Sequence, residues 1–247
     1  MTSPAPTRRP YHGSCHCGQT KYIAYLTLPP PTVAVDPDPG TTIRIYKCNC
    51  STCHKAGYFH VRLKDAPNDF VLLSPTDPEN GGLGDYQCFE KFSHWYFCKN
   101  CGVRCFIVGG KTETVDIDLE KWLGRESEGK TTKVWRPRSD GWVEDRGSYF
   151  SLNATSLEPK QDGFDLRECA EKRWICYLDM LGEKGEDRFG EPHEGGMYWR
   201  QDLERNIWFN LKSCSFRLTS FSRTYFVVLQ RWRRATISGA QLVYADS

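Results

Sequence analysis

Residues 92–108 run Phe92-Ser93-His94-Trp95-Tyr96-Phe97-Cys98-Lys99-Asn100-Cys101-Gly102-Val103-Arg104-Cys105-Phe106-Ile107-Val108, and they point to a β-rich chain. Phe92 and the run Trp95-Tyr96-Phe97 have the aromatic composition of a strand. Behind them come two cysteines separated by two residues and followed by glycine. Beyond that turn, Val103, Cys105 and Ile107 alternate with Arg104, Phe106 and Val108, the period-two pattern of a second strand. Residues 89–108 are therefore expected to form a β-hairpin whose tip grips a metal ion. Gly102 belongs at the tip because the tight turn needs a residue that tolerates positive φ.

Two further cysteine clusters precede the hairpin, Cys15-His16-Cys17-Gly18 and Cys48-Asn49-Cys50-Ser51-Thr52-Cys53. Thiolates at such short spacing are how proteins hold zinc. Cysteines this close in sequence are poorly placed for disulfides with one another, so metal binding is the expected use of all three clusters. Four sulfurs close one tetrahedral site. Seven fall one short of closing two, and a zinc with three protein ligands keeps a position for water or substrate. Cys88, Cys105, Cys169, Cys176 and Cys214 are isolated and read as small buried apolar residues.

If Cys15 and Cys17 lie in a strand, they project to one face and can reach the ion held by Cys98 and Cys101. That pairing would staple the N-terminal segment to the hairpin. Spacing also allows the middle cluster to supply ligands to the Cys98–Cys101 turn. Cys48, Cys50 and Cys53 can cover one face of an ion, with the fourth position open unless Cys88, Cys105, His54 or His60 fills it. An open position favours chemistry, and a filled one favours a scaffold in which both ions are structural. His54 directly follows a ligand and His60 lies six residues on, so both are candidate acid/base residues. His16 should point away from the sulfurs on either side of it.

Along the chain, residues 1–10 are polar, proline-rich and expected to be disordered. A strand is expected from Thr20 to Leu26, and another from Thr42 to Lys47 leading into the middle cluster. Val61-Arg62-Leu63 and the segment 70–73 read as short strands. Residues 109–147 are charged and glycine-containing and read as an insertion, with some helix at 113–123. A strand resumes at Tyr149-Phe150-Ser151-Leu152-Asn153, and a helix is expected over 166–181. The domain is thus expected to span 11–200. Residues 201–247 read as a basic extension, with seven basic and no acidic residues between Arg205 and Tyr244. The fold class is mainly β, with few short helices.

The chain has 247 residues, 39% hydrophobic and 13% aromatic, which is enough for a packed core. Lys+Arg 33 against Asp+Glu 31 leaves a net charge of +2, which argues against a dedicated nucleic-acid binder. No segment has the roughly 20 apolar residues of a membrane span, and the N-terminus lacks the apolar core of a signal peptide. A cytoplasmic protein with reduced thiols is expected, and the sequence leaves its oligomeric state open.

The motifs Gly13-Ser14-Cys15-His16-Cys17-Gly18, Cys48-Asn49-Cys50-Ser51-Thr52-Cys53-His54-Lys55 and Tyr96-Phe97-Cys98-Lys99-Asn100-Cys101-Gly102-Val103 resemble, in order and spacing, the signature of the glutathione-dependent formaldehyde-activating enzyme family, which also includes centromere protein V. The resemblance covers residues 11–108 well and residues 148–200 weakly. It implies a β-tent of two antiparallel sheets and two zinc ions per chain. One would be structural, at Cys15, Cys17, Cys98 and Cys101; the other would be catalytic, at Cys48, Cys50 and Cys53. It further implies a carbon–sulfur lyase that joins or separates a small thiol, glutathione in the founding case, and formaldehyde or a related carbonyl compound. A non-catalytic, zinc-stabilised binding protein is the alternative that its centromere-protein branch implies.

Overall fold

A computed structural model describes residues 5–31, 40–88, 91–143 and 148–178, together with the backbone of 197–198. All of them fall in the first of two units into which the chain divides, Met1–Gln201 and Asp202–Ser247. The expected basic extension and Cys214 lie outside the described residues.

The architecture is two sheets. The first holds β1 (Thr7–Ser14), β2 (Lys21–Leu28), β5 (Phe70–Ser74), β10 (Thr132–Pro137) and β9 (Thr112–Ile117), in that order. The second begins with a two-residue strand, β13 (Met197–Tyr198), and β12 (Ile175–Leu178). It continues through β3 (Arg44–Cys48), β4 (Phe59–Arg62), β11 (Tyr149–Asn153), β8 (Arg104–Gly109), β7 (Ser93–Phe97) and β6 (Gly84–Cys88). Pairing is antiparallel except at one margin, where β12 runs parallel to both β3 and β13. Four short α-helices lie among the described residues, α1 (Ser51–Ala56), α2 (Ala66–Asp69), α3 (Leu119–Trp122) and α4 (Leu166–Glu171), besides single helical turns at Pro78–Gly82 and Ala154–Ser156. Among the described residues no helix is long and apolar enough to cross a membrane.

The main core joins side chains from both sheets. Tyr22, Leu26, Phe70, Leu72 and Trp135 from the first meet Val61, Tyr96, Phe106, Val108, Phe150 and Leu152 from the second. Phe70 is central, with ring centroids 4.5 Å from Phe150, 5.4 Å from Phe106 and 5.6 Å from Tyr22. None of these pairs is the face-to-face sandwich that aromatic quadrupoles disfavour. The first sheet is also covered on its outer face. Ile23, Val71 and Val134 pack there against Leu119, Trp122 and Leu123, which explains why almost all of β2 is apolar rather than alternating.

Several sequence expectations are corrected. The segment 109–147, read as an insertion, is built into the first sheet: it supplies β9, β10 and the α3 cover, and Trp135 is only 1% exposed. Only Leu119–Trp122 of the segment 113–123 is helical. Residues 7–10 are not disordered. They form the first half of β1, paired residue by residue with β2 from Thr7↔Leu28. Arg8 caps that pairing by donating to Asp69 at 2.6 and 2.9 Å while its guanidinium lies 3.5 Å from the Tyr25 ring centroid. The helix expected over 166–181 stops at Glu171, and β12 follows. Residues 179–181 of that expectation lie outside the described residues.

In the hairpin, β7 and β8 pair as expected, but the register shifts between Tyr96↔Phe106 and Phe97↔Arg104. This bulge turns Cys105 into the main core beside Phe106, whereas Ile107 packs on the other face with Trp95. The expected common face for Cys105 and Ile107 is therefore broken.

Candidate metal centres

The four sulfurs of Cys15, Cys17, Cys98 and Cys101 all lie within 4.8 Å of one another. Cys17 Sγ is 3.5 Å from both Cys15 Sγ and Cys98 Sγ. Four sulfurs held around one ion at the zinc–sulfur distance of about 2.3 Å stand about 3.8 Å apart, so the donor set and its dimensions fit a tetrahedral thiolate site. Two turns of similar build supply the ligands. In the β7–β8 turn, Cys98 N–H donates to Val103 O and Gly102 N–H donates to Cys98 O. In the β1–β2 turn, Cys15 N–H donates to Thr20 O and Gly18 N–H donates to Cys15 O. Gly18 and Gly102 both take positive φ, 76° and 74°. Cys15 and Cys17 thus sit in a turn rather than in a strand, and the turn does the work that strand alternation was expected to do. His16 is exposed.

The metal-free sulfurs already share charge. Burial raises the Cys15 thiol, but the Thr20 N–H at 3.2 Å and the neighbouring sulfurs outweigh it and hold it down to about 6. Cys98 is pushed up to about 11, first by burial. Cys101 is lowered, chiefly by the Val103 N–H.

Cys48, Cys50 and Cys53 form a separate group, again with all sulfurs within 4.8 Å of one another. No fourth cysteine, histidine or carboxylate among the described residues joins that set. Cys48 ends β3, Cys50 caps α1, and Cys53 lies inside α1. The helix stops at Gly57, whose φ of 59° closes the turn, and Tyr58 N–H then donates to Cys53 O at 3.0 Å. Cys50 is held down to about 2, first by the hydrogen bond from the Cys48 thiol and then by that from Cys53. Cys48 is raised to about 11 by that same bond to Cys50. Cys53 is raised as well, through Cys48 first.

This group stands on the face of the second sheet that points away from the main core. Tyr58, Trp95 and Ile107 are buried beneath Cys53, with Cys88 and Tyr149 packed alongside. His60 is 3% exposed and has its Nε2 3.1 Å from Cys53 Sγ. Its Nδ1 is 3.0 Å from Ser151 Oγ and 3.2 Å from the Tyr149 hydroxyl. Tyr46, directly opposite His60 in the β3–β4 register, stacks on its ring at 4.4 Å with an interplanar angle of 1°. Burial drives the His60 imidazole down to about 3. His54 is exposed on α1, its N–H bonded to Cys50 O; it stands about 100° around the helix from Cys53.

No family model and no curated protein matches the chain. Among solved structures, a Rhodobacter sphaeroides protein crystallised by a structural genomics programme is similar over 64% of this chain and 93% of its own, at 15% identity and a TM-score of 0.32. That level of similarity carries no weight for fold or function.

None of the eleven described cysteines is in a disulfide. Cys105 and Cys169 are buried core residues, and burial pushes their thiols up, Cys169 to about 12. Cys88 and Cys176 are only partly buried. The cysteine spacing did not point to Tyr46, Tyr58, Tyr149 or Ser151. Tyr46 carried a usable signal, because it lies two residues before Cys48 and so shares its face of β3. Tyr149 and Ser151 carried none; they arrive through the long-range pairing of β11 with β4.

Proposed function

We propose that the chain is a zinc-dependent carbon–sulfur lyase-type enzyme that makes and breaks an adduct between a small thiol, such as glutathione, and a carbonyl compound such as formaldehyde. The inequality of the two cysteine groups carries this reading: four sulfurs converge at one and three at the other. The four-cysteine group is then the structural site and the three-cysteine group the reactive one, with one ligand position left to the substrate. A zinc ion there would supply a place where the substrate thiol is held as thiolate.

The rest falls to the chain. Cys48, Cys50 and Cys53, all three as thiolates, form one face of the site. Tyr58, Trp95 and Ile107 close the floor against water. In the forward direction the thiol sulfur forms a bond to the carbonyl carbon, the carbon–oxygen π pair moves to oxygen, and that oxygen takes the proton the thiol lost. The reverse breaks the same bond. His54 meets solvent and is assigned the proton transfer, whereas His60 is shut away beneath Cys53.

The test is zinc-loaded protein incubated with glutathione and a panel of aldehydes, followed by NMR exchange spectroscopy. Adduct exchange faster than the protein-free rate, abolished by Cys50→Ser, is expected. Exchange at the protein-free rate throughout the panel, with two zinc ions bound, would leave the binding-protein alternative.

A further inference from the structure

His60 is engaged at both ring nitrogens. Nε2 faces Cys53 Sγ at 3.1 Å, and Nδ1 faces Ser151 Oγ at 3.0 Å and the Tyr149 hydroxyl at 3.2 Å. The Tyr149 hydroxyl is itself 2.9 Å from that of Tyr46. Tyr46 lies flat on the imidazole at 4.4 Å, Tyr58 leans on it at 4.6 Å, and Trp95 meets it edge-on at 6.4 Å. A ring packed on these sides cannot turn to offer a nitrogen elsewhere.

Hydrogen placement follows from what each atom can do. A cysteine sulfur that ligates a metal is a thiolate and can only accept, so the hydrogen between His60 and Cys53 must reside on Nε2. A neutral imidazole then has a bare lone pair at Nδ1. Two hydroxyls, Ser151 O–H at 3.0 Å and Tyr149 O–H at 3.2 Å, stand where they can donate to it. The Leu152 carbonyl, at 3.3 Å, is a second acceptor within reach of Ser151 O–H.

We infer that His60 is a positioning residue, a fixed N–H donor to the Cys53 sulfur whose tautomer is set by the two hydroxyls at Nδ1, Ser151 and Tyr149. Three thiolates around a divalent ion leave one net negative charge. An N–H donor draws charge from one of them and so eases the approach of a fourth, anionic sulfur. Such partners of metal ligands fix ligand orientation and basicity. The inference rests on the metal-binding half of the proposed function and is independent of the lyase half.

The test uses full-length zinc-loaded protein labelled with ¹⁵N-histidine. A long-range ¹H–¹⁵N correlation spectrum is expected to show His60 with its hydrogen on Nε2 and Nδ1 bare. A hydrogen on Nδ1, a doubly protonated ring, or a ring nitrogen bound to the metal would each overturn the inference. In cobalt-substituted protein, His60→Phe is expected to move the sulfur-to-metal charge-transfer bands to lower energy and to weaken the three-cysteine site about 10- to 100-fold, leaving the four-cysteine site unchanged. Unmoved bands with an affinity change below about twofold would reduce His60 to packing and overturn the inference. Tyr149→Phe combined with Ser151→Ala keeps the ring in place while removing both hydroxyls, and the bands are expected to move the same way by less. Failure of Cys48, Cys50 and Cys53 to hold any metal sinks both this inference and the proposed function. Metal loading with the Nε2–H tautomer but without lyase activity sustains this inference and sinks only the lyase.

Discussion

The sulfurs of Cys17 and Cys98 stand 3.5 Å apart although 81 residues separate them in sequence. One belongs to the turn that joins the first two strands of the first sheet, and the other to the hairpin of the second. A metal held between them links the two sheets at a point where the described structure has no disulfide. Structural zinc sites add their binding free energy to folding. Cys98→Ser should therefore cost several kcal/mol and lower the melting temperature by about 2–4 °C per kcal/mol lost. Chelator treatment of the wild type should give a similar loss. Melts monitored by near-ultraviolet circular dichroism check both, and an unchanged midpoint in either would refute the staple.

Cys50→Ser should behave differently. Cys50 is partly exposed and only caps a helix of six residues. Its loss removes one ligand from the three-cysteine group and none from the staple. Zinc per chain should fall from two towards one while the melting temperature moves by only a few degrees. Metal analysis beside a thermal melt tests this, and a collapse like that of Cys98→Ser would mean that both groups are structural.

Trp135→Ala tests how far the segment 109–147 carries the core. Trp135 is buried between the sheets, 5.5 Å from Phe106 by ring centroid, and its indole N–H donates to Glu79 Oε1 at 3.1 Å. Truncating a buried tryptophan costs about 3–5 kcal/mol, whereas a tryptophan in a surface insertion would cost almost nothing. Urea unfolding separates the two outcomes.

The hairpin and the three cysteine clusters were legible in the sequence because their signals are local. Alternation over residues 103–108, a glycine after Cys101, and ligands two or three residues apart can each be read in one short window. What was missed is long-range. Residues 112–117 and 132–137 carry Glu113, Asp116, Lys133 and Arg136 on the exposed or half-exposed positions of a sheet margin, so they look like a charged excursion. The apolar run Ile175-Cys176-Tyr177-Leu178 looks like the end of a helix. It is instead a strand in parallel pairing with neighbours on both sides, where continuous apolarity is the rule. His60 was found as a histidine near a ligand, but its burial beneath Cys53 depends on Tyr149 and Ser151, 89 and 91 positions away along the chain and adjacent only through sheet order.

Gly13 illustrates a local residue with a long-range reason. It lies opposite Tyr22 in the β1–β2 register, and a Cβ built on it would stand 2.1 Å from the Tyr22 ring. That ring is fully buried and its hydroxyl is 2.8 Å from Ser156 Oγ, so it has nowhere to go. Gly13→Ala should cost about 1–3 kcal/mol as an overpacking change. It should also loosen the turn holding Cys15 and Cys17, seen as weaker zinc retention against a chelator. A neutral Gly13→Ala would show that β1 can slide away from Tyr22.

Proton release on metal loading reads the hydrogen bonding within the three-cysteine group. In the metal-free protein at pH 7, Cys50 is a thiolate because it accepts from Cys48 and Cys53. Those two remain thiols, Cys48 titrating at about 11 and Cys53 raised in the same way. Three thiolates are needed to hold the ion, so two protons must leave. Protons therefore compete with the metal, and apparent affinity should rise about 100-fold for each pH unit gained near neutrality. Once the four-cysteine site has been filled by a first equivalent of zinc, calorimetry of the second equivalent in two buffers of different ionisation enthalpy gives the count. Two is expected. Three would mean that all the sulfurs start as thiols, with no shared hydrogen bond to hold Cys50 ionised. A count near zero would mean that the group is already fully ionised, which three crowded and partly buried sulfurs could sustain only with a cation beside them.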